Sequence, residues 1–255
     1  MNQLRKFLLA CVPVVGLAAC GGGDTADRLD LANPAVRFIH ASPTAPNLTL
    51  YRNAAAQPDE TNVPYHFASN YFDVDTSAAE WSVAAVDGTR LGRVSIDPVR
   101  GNKYTIVALP VNFANSTVYL ITDPYNKPLA SDSTRLRLMN ASYNAANIDV
   151  YMNPIGTDIG APGVNPLIAA VAYNNSGPAS GSDSVSIPAG TYQLTLATAN
   201  TKTVLFKGQL SFGNNKDILL LSVPGDIAIH APAPAGIKVL SKVEGVAGAI
   251  ELPAM

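Results

Sequence analysis

The chain has 255 residues and a formal net charge of −2, and charged residues make up 14% of it. This balance leaves no basic surface of the kind that nucleic-acid binding requires, so the sequence excludes that class of function. Gly and Pro number 19 each, and these residues interrupt long helices, so we expect short strands joined by turns.

The amino-terminal segment has the order of parts found in a signal peptide. Arg5 and Lys6 precede the apolar run 7–19, which ends in Leu17-Ala18-Ala19-Cys20. The run is shorter than the roughly 20 residues that a membrane-spanning helix needs. Its end resembles the bacterial lipobox, which implies cleavage before Cys20 and acylation, for example by palmitate. The alternative is an ordinary secretory signal with an incidental cysteine.

These features predict a lipoprotein that is anchored to a membrane of the bacterial cell envelope. Residues 1–19 would be the signal peptide, and residues 20–33 a lipidated terminus with a linker that spans on the order of 20 Å. Gly21 follows the cysteine where Asp would signal inner-membrane retention, so the segment resembles an outer-membrane address. Once Cys11 is removed and Cys20 is acylated, the mature domains hold no thiol for a disulfide or a metal site.

An internal repeat follows the linker and recurs one hundred positions later. Residues 36–53 (VRFIHASPTAPNLTLYRN) align without gaps with residues 136–153 (LRLMNASYNAANIDVYMN). The identical residues are Arg37, Ala41, Ser42, Ala45, Asn47, Tyr51 and Asn53, which recur as Arg137, Ala141, Ser142, Ala145, Asn147, Tyr151 and Asn153. Such a period indicates tandem structural units, which we place at residues 34–126 and 134–226.

Within each copy, apolar and polar residues alternate. Leu48 and Leu50 alternate with Thr49 and Tyr51, a period of two that is typical of half-buried strands. The run 218–221 is continuously apolar, as in a strand covered on both faces. Turn signals separate these runs, so the predicted fold is all-β, with two tandem Ig-like β-sandwich domains of about 90 residues each.

The last segment, residues 227–255, contains a stiff Pro/Ala spacer at 231–236. Residues 237–240 and 250–252 echo the first two strands of the second copy. One interpretation is an extra hairpin that begins a third, truncated copy. Because such a hairpin could not bury its own face, it would pair with an edge strand of the second domain or of another molecule.

The segment Val36-Arg-Phe-Ile-His-Ala-Ser-Pro-Thr-Ala-Pro-Asn47, followed by Leu48-Thr-Leu-Tyr51, resembles the start of a bacterial domain of unknown function, family 4397. Residues 186–192 (SIPAGTY) are similar to a later motif of that family, which the first copy lacks. The second copy lacks the His and the Pro of the first motif. The resemblance implies a β-sandwich module of the cell envelope, with two copies behind a lipobox, and it implies no reaction.

His40 and Ser42 are the residues that could suggest catalysis. Two positions apart on a strand, they would point to one face, and Asp73 or Asp75 could supply the acid of a hydrolase triad. No G-x-S-x-G elbow surrounds Ser42, and the second copy has Asn140 in place of the histidine. This exchange favours a hydrogen-bonding strand end, so we expect no enzyme.

Neither a metal nor a cofactor is indicated by the sequence. His40, His66 and His230 are scattered, without zinc-ligand spacing. Asp73 and Asp75 could bind calcium together with loop carbonyls, but they do not fit the EF-hand pattern.

Tyr51 and Tyr151 fall on the polar register of their strands, so they are the candidate binding residues. Exposed tyrosines could stack on sugars or anchor a protein, and the alternative is cross-strand packing. The sequence therefore favours a non-enzymatic binding or structural module that acts on an envelope protein or a glycan. Its alternatives are a carbohydrate-binding module and a hydrolase that uses His40 and Ser42.

Overall fold

The computed structural model describes residues 32–112, 114–125, 127, 130–225 and 236–255. Cys20 and the whole predicted signal peptide lie outside these residues. The strands of the first repeat are β1 (Ala35–His40), β2 (Leu48–Arg52), β3 (Ala55–Ala56), β4 (Phe72–Asp73), β5 (Ala79–Ala85), β6 (Arg90–Ile96), β7 (Lys103–Pro110) and β8 (Ser116–Asp123). A 3-10 turn, Pro58–Glu60, follows β3.

The second repeat and the C-terminal segment supply ten more strands. They are β9 (Ser133–Asn140), β10 (Ile148–Asn153), β11 (Ile168–Val171), β12 (Asn175–Gly177), β13 (Val185–Pro188), β14 (Gly190–Thr198), β15 (Thr203–Phe212), β16 (Asp217–Pro224), β17 (Ile237–Val243) and β18 (Ile250–Glu251). The nearly all-β content and its several sheets confirm the predicted fold class. Among the described residues, no helix is long and apolar enough to cross a membrane.

Each repeat is built from two sheets with matching topology. In the first repeat, sheet A has the order β4-β1-β7-β8 and sheet B the order β3-β2-β5-β6. In the second, sheet C has the order β12-β9-β16-β17-β18, with β13 also paired to β9, and sheet D the order β11-β10-β14-β15. The first strand of each repeat runs parallel to its later partner, β1 with β7 and β9 with β16.

Each sandwich encloses its own apolar core. Val36, Phe38 and Ile106 of sheet A pack against Leu50 and Trp81 of sheet B. A corresponding core in the second repeat joins sheets C and D, with members such as Leu138, Val150, Leu196 and Leu220. The period-two alternation therefore places one face of each strand inside its own sandwich.

A third core lies between the repeats, where sheets A and C meet. Ile39, Val107 and Leu109 of sheet A pack with Met139 and Leu221 of sheet C, and all five side chains are fully buried. Neighbouring residues of one strand thus enter different cores, because successive side chains point to opposite faces. This explains why residues 218–221 are continuously apolar: Leu219 and Leu221 face the other repeat, and Ile218 and Leu220 face sheet D.

The C-terminal segment completes the second sandwich. Strand β17 pairs antiparallel with β16 along its whole length, as β8 does with β7. It therefore takes the place of the last strand of the repeat, and strand pairing does not support a third copy. The final residues reach sheet D, where Ala254 bridges to Gly208 and the Met255 amide donates to the Lys207 carbonyl.

Candidate functional site

His40 ends β1 and is fully buried. Its Nε2 lies 3.0 Å from the carbonyl oxygen of Pro46, and its Nδ1 accepts a hydrogen bond from the Ser42 amide at 3.3 Å. These bonds assign the neutral tautomer with the proton on Nε2, because an acceptor at Nδ1 cannot also carry one. Burial lowers the pKa of His40 to about 4, so the ring is uncharged at neutral pH.

Ser42 is also fully buried, and its hydroxyl does not bond the histidine. The Ser42 Oγ lies 2.6 Å from the Oγ of Ser116, at the start of β8. A serine nucleophile would need its Oγ within hydrogen-bond reach of the base. The arrangement instead closes the turn that follows β1, and the hydrolase alternative gains no support from it.

In the second repeat an amide side chain forms the corresponding bond to the serine. The Asn140 Oδ1 accepts from the Ser142 amide at 3.1 Å, and the Asn140 Nδ2 donates to the Val171 carbonyl at 3.0 Å. An imidazole and an amide can exchange here because each offers one acceptor and one donor.

The two candidate tyrosines lie in different environments. Tyr51 is half-buried on β2. Tyr151 is only 1% exposed, because Ile159 and Val164 of the following segment cover it together with Ala197. The period-two pattern predicts an exposed Tyr151, whereas the structure buries it. The two rings therefore do not form a matched exposed pair.

Asp75, a candidate acid or calcium ligand, pairs with a cation. The guanidinium of Arg52 donates to both of its oxygens at 2.8 and 2.9 Å, and its Oδ1 also accepts from the Ser77 amide. These bonds hold the pKa of Asp75 well below its usual range. No cluster of three or more potential metal ligands occurs in the part of the chain that the structure describes.

Sequence reasoning missed a charged cluster that lies between the repeats at the end where β1, β7, β9 and β16 begin. Arg135 of the second repeat donates to Asp123 of the first at 2.8 Å, and its other terminal nitrogen lies 3.7 Å from Asp217. All three side chains are buried. Burial raises the pKa of Asp217 to about 6, even though Arg135 opposes the shift.

The same cluster continues to the C-terminal segment through Glu244. Lys103 Nζ lies 2.9 Å from one of its carboxylate oxygens, and the Tyr125 hydroxyl donates to the other at 2.5 Å. Lys127 is 3.4 Å away. These partners outweigh the effect of burial and lower the pKa of Glu244 to about 2. The repeated Arg37 and Arg137 were a visible signal of the cluster, since both line it and Arg137 lies 4.0 Å from Asp123.

An open groove of about 500 Å³ lies between the first repeat and the C-terminal segment. Residues 57–60, 67–72 and 247–248 line it, and we call it the inter-repeat groove. It contains two carboxylates, Asp59 and Glu60, and three half-buried aromatic side chains, Phe67, Tyr71 and Phe72. Its volume is within the range of small-molecule sites, and no sequence motif marked it.

Comparison with family models finds a similarity over part of the chain. Residues 34–151 match the model of a domain of unknown function, DUF4397, so one copy, with the first two strands of the next repeat, is similar to that family. A search of curated proteins found no match.

Two solved structures show distant similarity. One is CBMbc, of family CBM26, from Eubacterium rectale Amy13K in complex with maltoheptaose, with 10% identity and a TM-score of 0.23 over 79% of this chain and 97% of that one. The other is the fimbrial anchor protein Mfa2 from Porphyromonas gingivalis, with 9% identity and a TM-score of 0.20 over 85% and 99%. At these TM-scores neither likeness bears on fold or function.

Proposed function

We propose that this protein is a non-enzymatic lipoprotein of the bacterial cell envelope, in which two fused β-sandwiches form one rigid unit that binds a partner. The observation that carries this proposal is the third core. Its apolar side chains come from both repeats and are as buried as those inside each sandwich. A joint of this kind suits a unit that holds a surface in fixed geometry, since inter-domain motion is expected where an interface is small and polar.

The polar residues that could suggest catalysis support the non-enzymatic reading. His40 donates to the Pro46 carbonyl and accepts from the Ser42 amide, and the Ser42 hydroxyl is hydrogen-bonded to that of Ser116. A general base needs a free nitrogen that reaches the proton it removes. An active-serine probe on the full chain should therefore leave Ser42 unlabelled, and labelling that Ser42→Ala abolishes would overturn this part of the proposal.

Lipid anchoring at Cys20 is the second part of the proposal. It is supported by the charged start, the apolar run and the small residues before the cysteine. More than one acyl chain gives stable attachment to a bilayer, because each buried methylene contributes about 0.8 kcal/mol. Cell fractionation of the wild type and of Cys20→Ser tests the anchor. The wild type should be found in the outer-membrane fraction and the variant in the soluble fraction, and an unchanged membrane-bound variant would contradict it.

The partner class that we propose is an envelope protein or a glycan. Crosslinking of the native lipoprotein in its own envelope, followed by mass spectrometry of the captured species, tests the binding role. A specific, saturable adduct on the surface of the sandwiches supports it. Recovery of the lipoprotein alone, at every crosslinker length, would leave a purely structural role.

A further inference from the structure

Glu60 is a buried acid whose position the fold alone does not explain. It closes the 3-10 turn after β3, it is 5% exposed, and it lines the inter-repeat groove. Burial raises its pKa, and the adjacent Asp59 raises it further. A carboxylate taken out of water normally sits beside a cation or several donors, because desolvation of an unpaired charge is costly.

Within the described ranges, Glu60 has neither a cation nor several donors. The Glu60 amide donates to the Gln57 carbonyl, and no Lys, Arg or His of the described residues forms an ion pair with the Glu60 carboxylate. The part of the chain that the structure describes therefore supplies no positive charge to Glu60.

Lys242 has its ammonium beside residues of the groove, and all its donors are already used in hydrogen bonds. It donates to the carbonyls of Ala68 and Val246 and to the side-chain oxygen of Asn70. An ammonium has three donors, so these three acceptors saturate it. Lys242 thus orders the groove residues without neutralising Glu60.

The other surfaces of the groove suit a ligand that carries positive charge and some apolar body. Phe67 and Phe72 contribute half-buried aromatic surface, and aromatic faces attract ammonium and guanidinium groups. The Tyr71 ring already contacts two cations of the chain, with Arg37 at 4.5 Å and Lys103 at 5.2 Å from its centroid. Asp59 adds a second negative charge at the exposed rim. Acceptors outnumber donors among the charged side chains that line the groove, so a donor-rich ligand is favoured over an anion.

We propose that the inter-repeat groove binds an organic cation, a primary amine or a guanidinium, whose charge pairs with the carboxylate of Glu60. The inference rests on the binding role proposed above and names the chemistry of its ligand. The cation is either a free polyamine or a Lys or Arg side chain of a peptide. In both cases the ammonium or guanidinium enters the groove, and the aromatic side chains contact the carbon chain behind it.

Calorimetric titration of the full chain tests the site. The probes are spermidine, a trilysine peptide with blocked termini and a neutral oligosaccharide, maltotriose. One of the two cations should bind, and maltotriose should not. Which cation binds more tightly distinguishes a free polyamine from a peptide. Absence of binding by both cations, or binding of maltotriose instead, would overturn the proposal.

Variants assign the binding to this groove. Glu60→Gln should weaken the cation affinity at least 10-fold, and Asp59→Asn, at an exposed position that does not threaten folding, should weaken it severalfold. Asp97→Asn is the matched control, because Asp97 is an exposed acid outside the groove, and it should leave the affinity unchanged. Equal binding by the wild type and Glu60→Gln would contradict the site.

The stability of the variants separates loss of the ligand site from loss of the fold. Glu60→Gln removes a buried charge that lacks a counter-ion, so thermal unfolding of the ligand-free variant should occur at or above the wild-type midpoint. A large fall of the midpoint would show that Glu60 serves the fold and would overturn the proposal. If the cations fail to bind while crosslinking still captures a partner, this site is wrong and the binding role stands.

Discussion

His40 and Asn140 occupy equivalent ends of β1 and β9 and form similar hydrogen bonds, and the Asn140 Oδ1 also accepts from the Ser222 hydroxyl at 3.0 Å. Each accepts from the amide of the serine two residues later, and each donates to a carbonyl of a neighbouring segment. The two repeats thus show that an amide can replace the imidazole at this position without loss of the turn. This equivalence assigns His40 a structural role.

Replacement of His40 by Asn should be tolerated far better than replacement by Ala. Asn keeps one donor and one acceptor, whereas Ala leaves the buried Ser42 amide and the Pro46 carbonyl unpaired. We expect His40→Ala to lower the free energy of unfolding by about 3 kcal/mol and His40→Asn by about 1 kcal/mol or less. Urea denaturation measures both values. Equal losses for the two variants would argue against this role.

The stability of the wild type should fall in acid because of His40. Its pKa is about 4 in the folded chain and 6.5 in its unperturbed form, so the unfolded state binds more protons between these values. The contribution is complete above pH 6.5 and is lost as pH falls towards 4, on the order of 3 kcal/mol in total. The difference between wild type and His40→Asn, measured by urea denaturation against pH, isolates it. A pH-independent difference would contradict the buried neutral ring.

The sandwich architecture could be predicted from the sequence, and the joint between the sandwiches could not. Alternation in residues 48–51 indicates one buried face because the side-chain period of a strand is two. The apolar run 218–221 indicates two covered faces, yet nothing in it says that sheet A of the other repeat is the cover. The burial of Tyr151 could not be predicted for a related reason, since alternation cannot reveal that a later segment folds back over the outer face of the sheet.

The sites were harder to predict than the fold. The repeated Arg37 and Arg137 were visible as identities, but Asp123 and Asp217 come from strands far away in the chain. The acidic pair Asp59 and Glu60 matches no motif, and the groove that it lines is completed by residues 247 and 248 of the C-terminal segment. Chemistry of this kind is assembled by tertiary contacts, which a single sequence does not encode in its local pattern.

Loss of Asp123 should be strongly destabilising. It faces Arg135 across the inter-repeat interface, where the two side chains are 9% and 5% exposed. Removal of one member leaves a buried charge without its partner, so Asp123→Ala should cost about 3 to 5 kcal/mol. Asp75→Ala is the control, because its pair with Arg52 lies at the surface and exposed pairs contribute little. Urea denaturation should show a large shift for the first and almost none for the second.

Truncation should show that β17 is part of the second sandwich. A chain that ends after residue 236 loses β17, the antiparallel partner of β16. Leu220 and Leu221 of β16 then become exposed, because Val239 and Leu240 no longer cover them. We expect it to lose cooperative unfolding, as monitored by far-UV circular dichroism. Removal of residues 253–255 alone is the control and should lower the midpoint only slightly. A stable, cooperative chain without residues 237–255 would show that the segment is an appendage.

The central claim is that the two repeats form one cooperative unit through their shared core, and Trp81 offers the most direct test. It is the single tryptophan of the chain and lies buried in the first repeat, whereas Leu220 is buried inside the second. Leu220→Ala should cost about 2 to 5 kcal/mol. We expect Trp81 fluorescence and far-UV circular dichroism to give coincident urea transitions, both shifted by the variant. A Trp81 transition that stays at the wild-type midpoint would show that the repeats unfold independently and would contradict the account.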